Sequence, residues 1–265
     1  MNKLLTVLIP TFNNFKSFSK VVSIYSKDPR VVIIVSDDSN NLKEKKAIRE
    51  LCNKYNIDYF LGPNSKPTEN WNILLNKIKT PFFVLNHHDE YPNNLKFMDY
   101  LNQKKLAFIV LPCNSIHQDK GTHKIYSWQQ KIISKICFTY PNASFNFFLA
   151  PTASLIINEK MRHILFDNNL SWFVDAEWYL RLYFESIKYN LEIKFFKFSR
   201  IISSQSENSI TNSLKKDLKK QIEKEKIYLS NLGFLPNKFI RIFQLIIFYF
   251  ILFSTKLRKY IRQCF

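Results

Sequence analysis

Glycine is nearly missing from this chain, with three residues in 265. A loop that wraps a phosphate in backbone N–H groups needs several glycines close together, so glycine-rich dinucleotide and P-loop fingerprints are excluded. Cysteine is equally sparse: Cys52, Cys113, Cys137 and Cys264 stand far apart, with no CxxC pair and no metal-ligand spacing. That excludes a disulfide framework and a zinc cluster, and predicts a reducing compartment. Acidic residues are also short, 21 against 39 Lys and Arg, giving a formal net charge of +18. The expected partners are therefore anions: nucleic acid, an acidic membrane surface or phosphorylated substrates. The first apolar run is stopped by Pro10 and is too short for the core of a signal peptide, so it predicts a first strand and a cytosolic chain. What is present is apolar: 46% hydrophobic content predicts a packed core in one large domain, with or without an appendage.

Taken in order, the chain alternates between the two periods of secondary structure. Leu4 to Ile9 is a continuous apolar strand, followed by a polar turn whose Asn residues can cap a helix. Phe15, Phe18, Val21, Val22 and Tyr25 then recur at helical spacing. Val31 to Val35 reads as a strand, 42 to 55 as a charged amphipathic helix, Ile57 to Leu61 as a third strand, and Asn70 to Ile78 as a further helix. Strand, helix, strand, helix, strand is the sequence form of a parallel sheet with right-handed crossovers, so the fold class is α/β. Phe82 to Leu85 predicts a buried strand, 95 to 111 a helix and then the strand Leu106 to Leu111, Ala150 to Asn158 a strand, and Ile193 to Ile202 an edge strand. Between Cys113 and Tyr140 periodicity is weak. A helix over Ile132 to Phe138 is predicted there, with Lys124, Lys131 and Lys135 on a solvated face.

Chemistry concentrates after Leu85, in Asn86, His87, His88, Asp89 and Glu90. Open α/β sheets bind ligands at the C-terminal ends of their strands. Two imidazoles and two carboxylates within four positions offer donors for a divalent cation, or groups that position a phosphate ester. Taken alone, the same residues read as a solvated turn before Pro92.

The order of the segments decides. Leu-Thr-Val-Leu-Ile-Pro-Thr-Phe-Asn-Asn, Val-Val-Ile-Ile-Val-Ser-Asp-Asp-Ser-Asn, Asn-Trp-Asn before a helix, and Phe-Val-Leu-Asn-His-His-Asp-Glu resemble those of family 2 glycosyltransferases, in that family's order and at about its spacing. The resemblance covers about residues 3 to 211 and implies a GT-A fold: a mostly parallel, Rossmann-like sheet flanked by helices. It also implies transfer of a sugar from a nucleotide sugar, UDP-linked, with inversion at the anomeric carbon. It places Pro10, Thr11, Phe12, Asn70 and His88 at the donor, and gives the Asp37-Asp38 pair the uracil and ribose, whose N–H and hydroxyl groups a carboxylate can accept. A lone Asp-Asp pair is otherwise a turn and a helix cap.

At the Asn86 to Glu90 cluster the family usually shows Asp-x-Asp, whose last carboxylate ligates Mn²⁺ or Mg²⁺ on the donor diphosphate. Here Asp89 would be the retained ligand, and His87 stands where the first Asp is expected. Imidazole suits Mn²⁺ better than Mg²⁺. The family's further metal-site His is missing after Ile202, where Gln205 or Ser206 is the nearest substitute. Trp172 to Leu182 resembles the acceptor-site motif, a carboxylate six residues before an Arg. That makes Asp175 the implied base toward the acceptor hydroxyl, with Glu177, Trp178 and Arg181 on the acceptor side or in support. Without the family order Asp175 reads as a helix cap. Val174 departs from the motif, which often has a second acid there.

The tail differs in kind. Residues 214 to 229 predict a helix rich in Lys and Glu, and Gly233 to Asn237 breaks it. The uncharged stretch between Arg241 and Lys256 falls short of the roughly 20 residues that span a bilayer, with basic residues at both ends. An in-plane helix on an anionic membrane is expected from residues 238 to 265, and a helix docked on the domain is the alternative. This divides the chain into a glycosyltransferase domain, 1–211, and a basic helical segment, 212–265. The expected acceptor is a lipid-linked or lipopolysaccharide glycan at the inner face of the bacterial cytoplasmic membrane, and no nucleic-acid partner is expected. Two rivals remain: a nucleotidyltransferase on a related sheet, which calls for a glycine-rich first turn that Pro10 to Asn13 lacks, and a non-enzymatic basic protein that binds membrane or nucleic acid.

Overall fold

The computed structural model describes residues 2–103, 105–117, 121–143, 148, 150–204, 218–247 and 249–251. Its centre is β1 (Leu5–Thr11), buried along its whole length. A strand with no polar alternation must be covered on both faces, as in parallel sheets flanked by helices. Leu5, Val7 and Ile9 point into one core with Phe18, Val21 and Val22 of α1 (Phe15–Tyr25). Leu8 points the other way, into a core with Trp71 and Leu74 of α3 (Pro67–Leu75). β2 (Val31–Asp37) and β4 (Phe82–Leu85) flank β1 in parallel, with Leu5 opposite Val31 and Phe82. β3 (Asp58–Leu61) adds a parallel edge, reached through α2 (Leu42–Lys54).

The expected α/β sheet, parallel over β3-β2-β1-β4, is present. It continues through β9 (Leu155–Asn158), antiparallel between β4 and β6 (Leu106–Val110), to β10 (Glu192–Phe195), giving seven strands in the order β10-β6-β9-β4-β1-β2-β3. A second sheet, β5-β11-β7-β8, joins β5 (Glu90–Pro92), β7 (Cys113–His117), β8 (Gly121–Lys124) and β11 (Ile201–Ser204). Its β5–β11 pairing sets Glu90 opposite Ser203.

Several boundaries differ from the sequence reading. α3 begins at Pro67, since a proline with fixed φ suits the first helical position. The strand expected over 193 to 202 is two strands in two sheets. Phe196 and Ile201 are both buried, and the chain turns between these anchors with Phe198 exposed. The weakly periodic stretch holds the β7–β8 hairpin and α4 (Ser127–Thr139). Where a helix was expected after residue 95, Lys96–Tyr100 forms a short 3₁₀ turn. α5 (Val174–Lys188) packs Trp178, Tyr179, Leu180 and Leu182 into the Leu8 core. α6 (Leu218–Asn231) adds Leu229 to the same core.

Candidate active site

The ends of β1 and β2 are stitched by asparagines before any ligand is considered. Asn13, at φ +47°, accepts the Asn40 and Asn41 N–H groups through Oδ1 and donates its own N–H to Ser39 Oγ at 2.8 Å. Asn and Asp enter the left-handed region more readily than other side chains with a Cβ, which is why this turn is built from them. Pro10 and Thr11 are buried at the end of β1, Thr11 Oγ1 has no partner, and Phe12 is exposed.

Asp37 and Asp38 have different tasks. Asp37 is fully buried, and its two oxygens accept Ser39 N–H at 2.8 Å and Tyr59 O–H at 2.9 Å, so this carboxylate is spent on the fold. Asp38 is partly exposed and accepts Asn64 N–H at 2.9 Å and Asn70 Nδ2 at 2.7 Å. Asn70 Oδ1 is left buried and without a partner. Gly62 makes room for this arrangement, since a Cβ there would lie 2.0 Å from Asp38 Oδ1.

Beyond β4, residues 87–90 form a tight turn organised by Asn86. Its buried amide accepts Tyr25 O–H at 2.9 Å and donates to the His87 and Glu90 carbonyls at 2.8 and 2.6 Å. His88 lies against the Pro10 carbonyl, linking this turn to β1. The His87 ring packs on Trp71 with centroids 5.0 Å apart. Its Nδ1 is 3.8 Å from Glu90 Oε1 and its Nε2 is buried without a partner. Burial lowers both imidazoles, His87 to about 4, so both are neutral at pH 7. The Asp89 carbonyl accepts the Ser204 N–H and hydroxyl, which brings the end of β11 to the same place.

Glu90 is 6% exposed, and Oε2 has no partner. Desolvation, reinforced by the Asp89 and Asp175 charges, holds its carboxyl well above the usual carboxylate range. Asp175 lies in the first turn of α5. The residue is partly exposed, but its Oδ1 is covered and unpaired, and burial raises its carboxyl to about 6. The structure thus brings Asp175 beside Glu90, a neighbour the sequence reading had left without a role. Glu90 directly follows Asp89 in the cluster, which is the signal that could have singled it out. Gly62 carried one too, as one of three glycines in the chain.

The three other residues of the acceptor motif are occupied. Glu177 is buried and forms a bidentate pair with Arg181, whose Nη2 donates to Oε2 at 2.7 Å. Trp178 is wholly buried, donates Nε1–H to the Ile164 carbonyl at 2.7 Å and stacks on Phe166. It supports α5 from within the core and does not face a ligand.

Among the described residues no group of three or more His, Cys, Asp or Glu converges where a cation could sit. Asp89 and His87, the residues expected to meet Mn²⁺ or Mg²⁺, belong to no such group. The His87 ring packs on Trp71, and burial keeps its imidazole neutral, the form that can donate to a cation. Gln205 and Ser206 lie outside the described residues.

No family profile and no curated protein matches the sequence. Solved structures do. Residues 1–349 of S. aureus TarS superpose with a TM-score of 0.57 at 16% identity, over 76% of this chain and 60% of that one. The same protein in complex with UDP-GlcNAc gives 0.59 at 15%, over 79% and 61%. The mannosyltransferase PcManGT from Pyrobaculum calidifontis, in complex with GDP-Man and Mn²⁺, gives 0.56 at 9%, over 86% and 65%. The chain therefore spans about three-fifths of the length of these proteins. With a parallel half over β3-β2-β1-β4 and an antiparallel β9 before the α5 carboxylate, this chain has the GT-A fold of glycosyltransferases.

Proposed function

We propose that the protein is an inverting glycosyltransferase of family 2 type. In this reading it moves a sugar from a nucleotide sugar, UDP-linked, onto a hydroxyl of a lipid-linked or lipopolysaccharide glycan at the inner face of the bacterial cytoplasmic membrane. The observation that carries the reading is the bare Oδ1 of Asp175 at the start of α5, beside Glu90. A buried carboxylate without an internal partner costs stability, and a carboxyl raised to about 6 is a proton acceptor poised near neutral pH. Asp175 takes the proton of the acceptor hydroxyl, whose oxygen attacks the anomeric carbon as the nucleoside diphosphate leaves from the opposite side. Asp38 and Asn70 hold the nucleoside, with Thr11 and Phe12 beside them and Asp37 bracing from behind. The solved relatives with UDP-GlcNAc and GDP-Man support a nucleotide sugar as donor. A diphosphate donor and a diphosphate-lipid acceptor both suit a chain of net charge +18.

The helix over residues 238–247 and 249–251 supports membrane contact in a particular form. Gln244 is buried, accepts Asn142 Nδ2 at 2.7 Å and donates to the Tyr140 carbonyl at 2.8 Å, so the helix is docked beside the end of α4. Its other face shows Phe239, Ile242, Phe243, Ile246 and Phe250 to the outside. No helix among the described residues is long and apolar enough to cross a membrane. A helix docked on one side and apolar on the other lies in the plane of an interface, and the basic cluster from Lys256 to Arg262 would meet anionic headgroups.

The test is transfer by purified protein from a panel of UDP- and GDP-sugars to a synthetic lipid-diphosphate acceptor, with the product anomer read by NMR. One donor giving the inverted anomer supports the reading. No binding of any nucleotide sugar by calorimetry contradicts it.

A further inference from the structure

The N-terminus of α5 is held from outside the helix. Its N-cap residue, Phe173, has no side-chain acceptor, so the local sequence leaves the first amides uncapped. Glu225 of α6 instead gathers the amides that lead into the helix, 52 to 54 positions earlier, the last of them the N–H of the N-cap residue itself. One carboxylate oxygen accepts Ser171 N–H at 2.7 Å, the other accepts Phe173 N–H at 2.9 Å, and Trp172 N–H is shared between them at 3.1 Å. Glu225 is 1% exposed and is itself held by Gln221, whose Nε2 donates to Oε1 at 2.6 Å. One turn along α6, Tyr228 donates its hydroxyl to Asp167 Oδ2 at 2.7 Å, clasping the same loop at a second point.

Asp175 follows Phe173 by two residues. Since its Oδ1 has no partner among the described residues, the direction of that oxygen depends on the backbone that carries it. We infer that Glu225 is a positioning residue for Asp175: by gathering the amides of residues 171–173 onto one buried carboxylate, it fixes the first turn of α5 and aims the base at the acceptor hydroxyl. An ionised carboxylate suits the task, because it accepts on two oxygens and its charge complements the helix N-terminus. A hydroxyl or an amide in its place offers a single accepting oxygen to three converging donors. Helix α6 is in this way part of the catalytic apparatus.

The inference rests on the functional reading above, and kinetics separate the two. Glu225→Gln keeps the shape of the side chain, removes the charge and turns an NH₂ toward the gathered amides. It is expected to lower kcat by about tenfold to a hundredfold while donor KM stays within about twofold, the signature of a misplaced reacting group. Glu225→Asp, with the charge on a shorter arm, recovers part of the loss. Leu229→Ala serves as control, since it loosens α6 in the core without touching the loop: Tm falls and kcat per folded molecule is kept. Wild-type kcat in Glu225→Gln with a lowered Tm would overturn the inference and leave Glu225 a cap for stability only. If Glu225→Gln does not fold, Glu225→Asp decides by the same split, with lost kcat supporting and wild-type kcat overturning. A wild type that transfers no sugar removes the functional reading along with the inference. Equal kcat in wild type and Glu225→Gln removes the inference alone.

Discussion

The two ends of the site treat their carboxylates in opposite ways. At the end of β2, Asp37 and Asp38 have their oxygens engaged by Ser39, Tyr59, Asn64 and Asn70. At the end of β4 and the start of α5, Glu90 Oε2 and Asp175 Oδ1 are covered and bare, and burial raises both carboxyls. A satisfied carboxylate is a rigid scaffold that a nucleoside can dock against. An unsatisfied one keeps a lone pair for a proton from elsewhere and costs stability meanwhile. In the proposed reading the first end holds and the second reacts, and substitutions at the two ends should separate along that line.

The largest expected effect is at the reacting end. Asp175→Asn keeps size and polarity but removes the proton acceptor, and kcat should fall by about a thousandfold, within the range for general base catalysis, while calorimetry finds donor affinity unchanged. Loss of donor binding together with rate would show that Asp175 belongs to the holding end. The same substitution should stabilise the fold. The folded carboxyl, raised to about 6, binds its proton more tightly than the unfolded one at about 3.8. The burial penalty is therefore fully present above pH 6, shrinks as pH falls through that window, and vanishes below about 3.8. Asp175→Asn should gain about 1 to 3 kcal/mol in denaturant melts at pH 7.5 and nothing at pH 3.5. An equal gain at both pH values would point to packing instead of charge.

At the holding end the pattern reverses. Gly62→Ala puts a Cβ into the space of Asp38 Oδ1, so the Asn64 and Asn70 hydrogen bonds must rearrange. Overpacking of this kind costs about 1 to 3 kcal/mol, and UDP affinity should drop by about tenfold with kcat nearly kept at saturating donor. Unchanged UDP affinity would remove Asp38 from the donor site. Tyr59→Phe is the mildest change, since it takes one hydrogen bond from Asp37. It should cost about 1 kcal/mol in thermal melts and leave UDP affinity within about twofold. A larger affinity loss would mean that Asp37 meets the ligand directly.

Legibility in the sequence follows the range of the interactions. The parallel quartet was legible because each of its strands is a short apolar run between polar turns, and α1 because Phe18, Val21, Val22 and Tyr25 repeat along one face. The order of the segments singled out candidate residues that the structure sets at the ends of β1, β2 and β4. The split between β10 and β11 was not legible, because β10 pairs with β6 and β11 with β7, partners that lie far away in the chain. Nor was the division between Asp37 and Asp38, set by Tyr59 on β3 and Asn70 on α3. Glu225 sits in a stretch that reads only as a helix rich in Lys and Glu, and its bonds to the amides of residues 171–173 come from tertiary approach. A helix docked on the domain was the alternative reading of the tail, but its anchor at Gln244 was hidden for the same reason, since the partner amide comes from Asn142.

The most direct test of this account is the rate of transfer at saturating donor and acceptor from pH 4.5 to 8.5, in wild type and in Asp175→Asn. The account predicts an acid limb with its midpoint near pH 6 in the wild type, where the raised Asp175 carboxyl takes up its proton, and a residual rate without that limb in the variant. A wild-type midpoint near pH 4, or a limb that persists unchanged in Asp175→Asn, would contradict the assignment of Asp175 as the base.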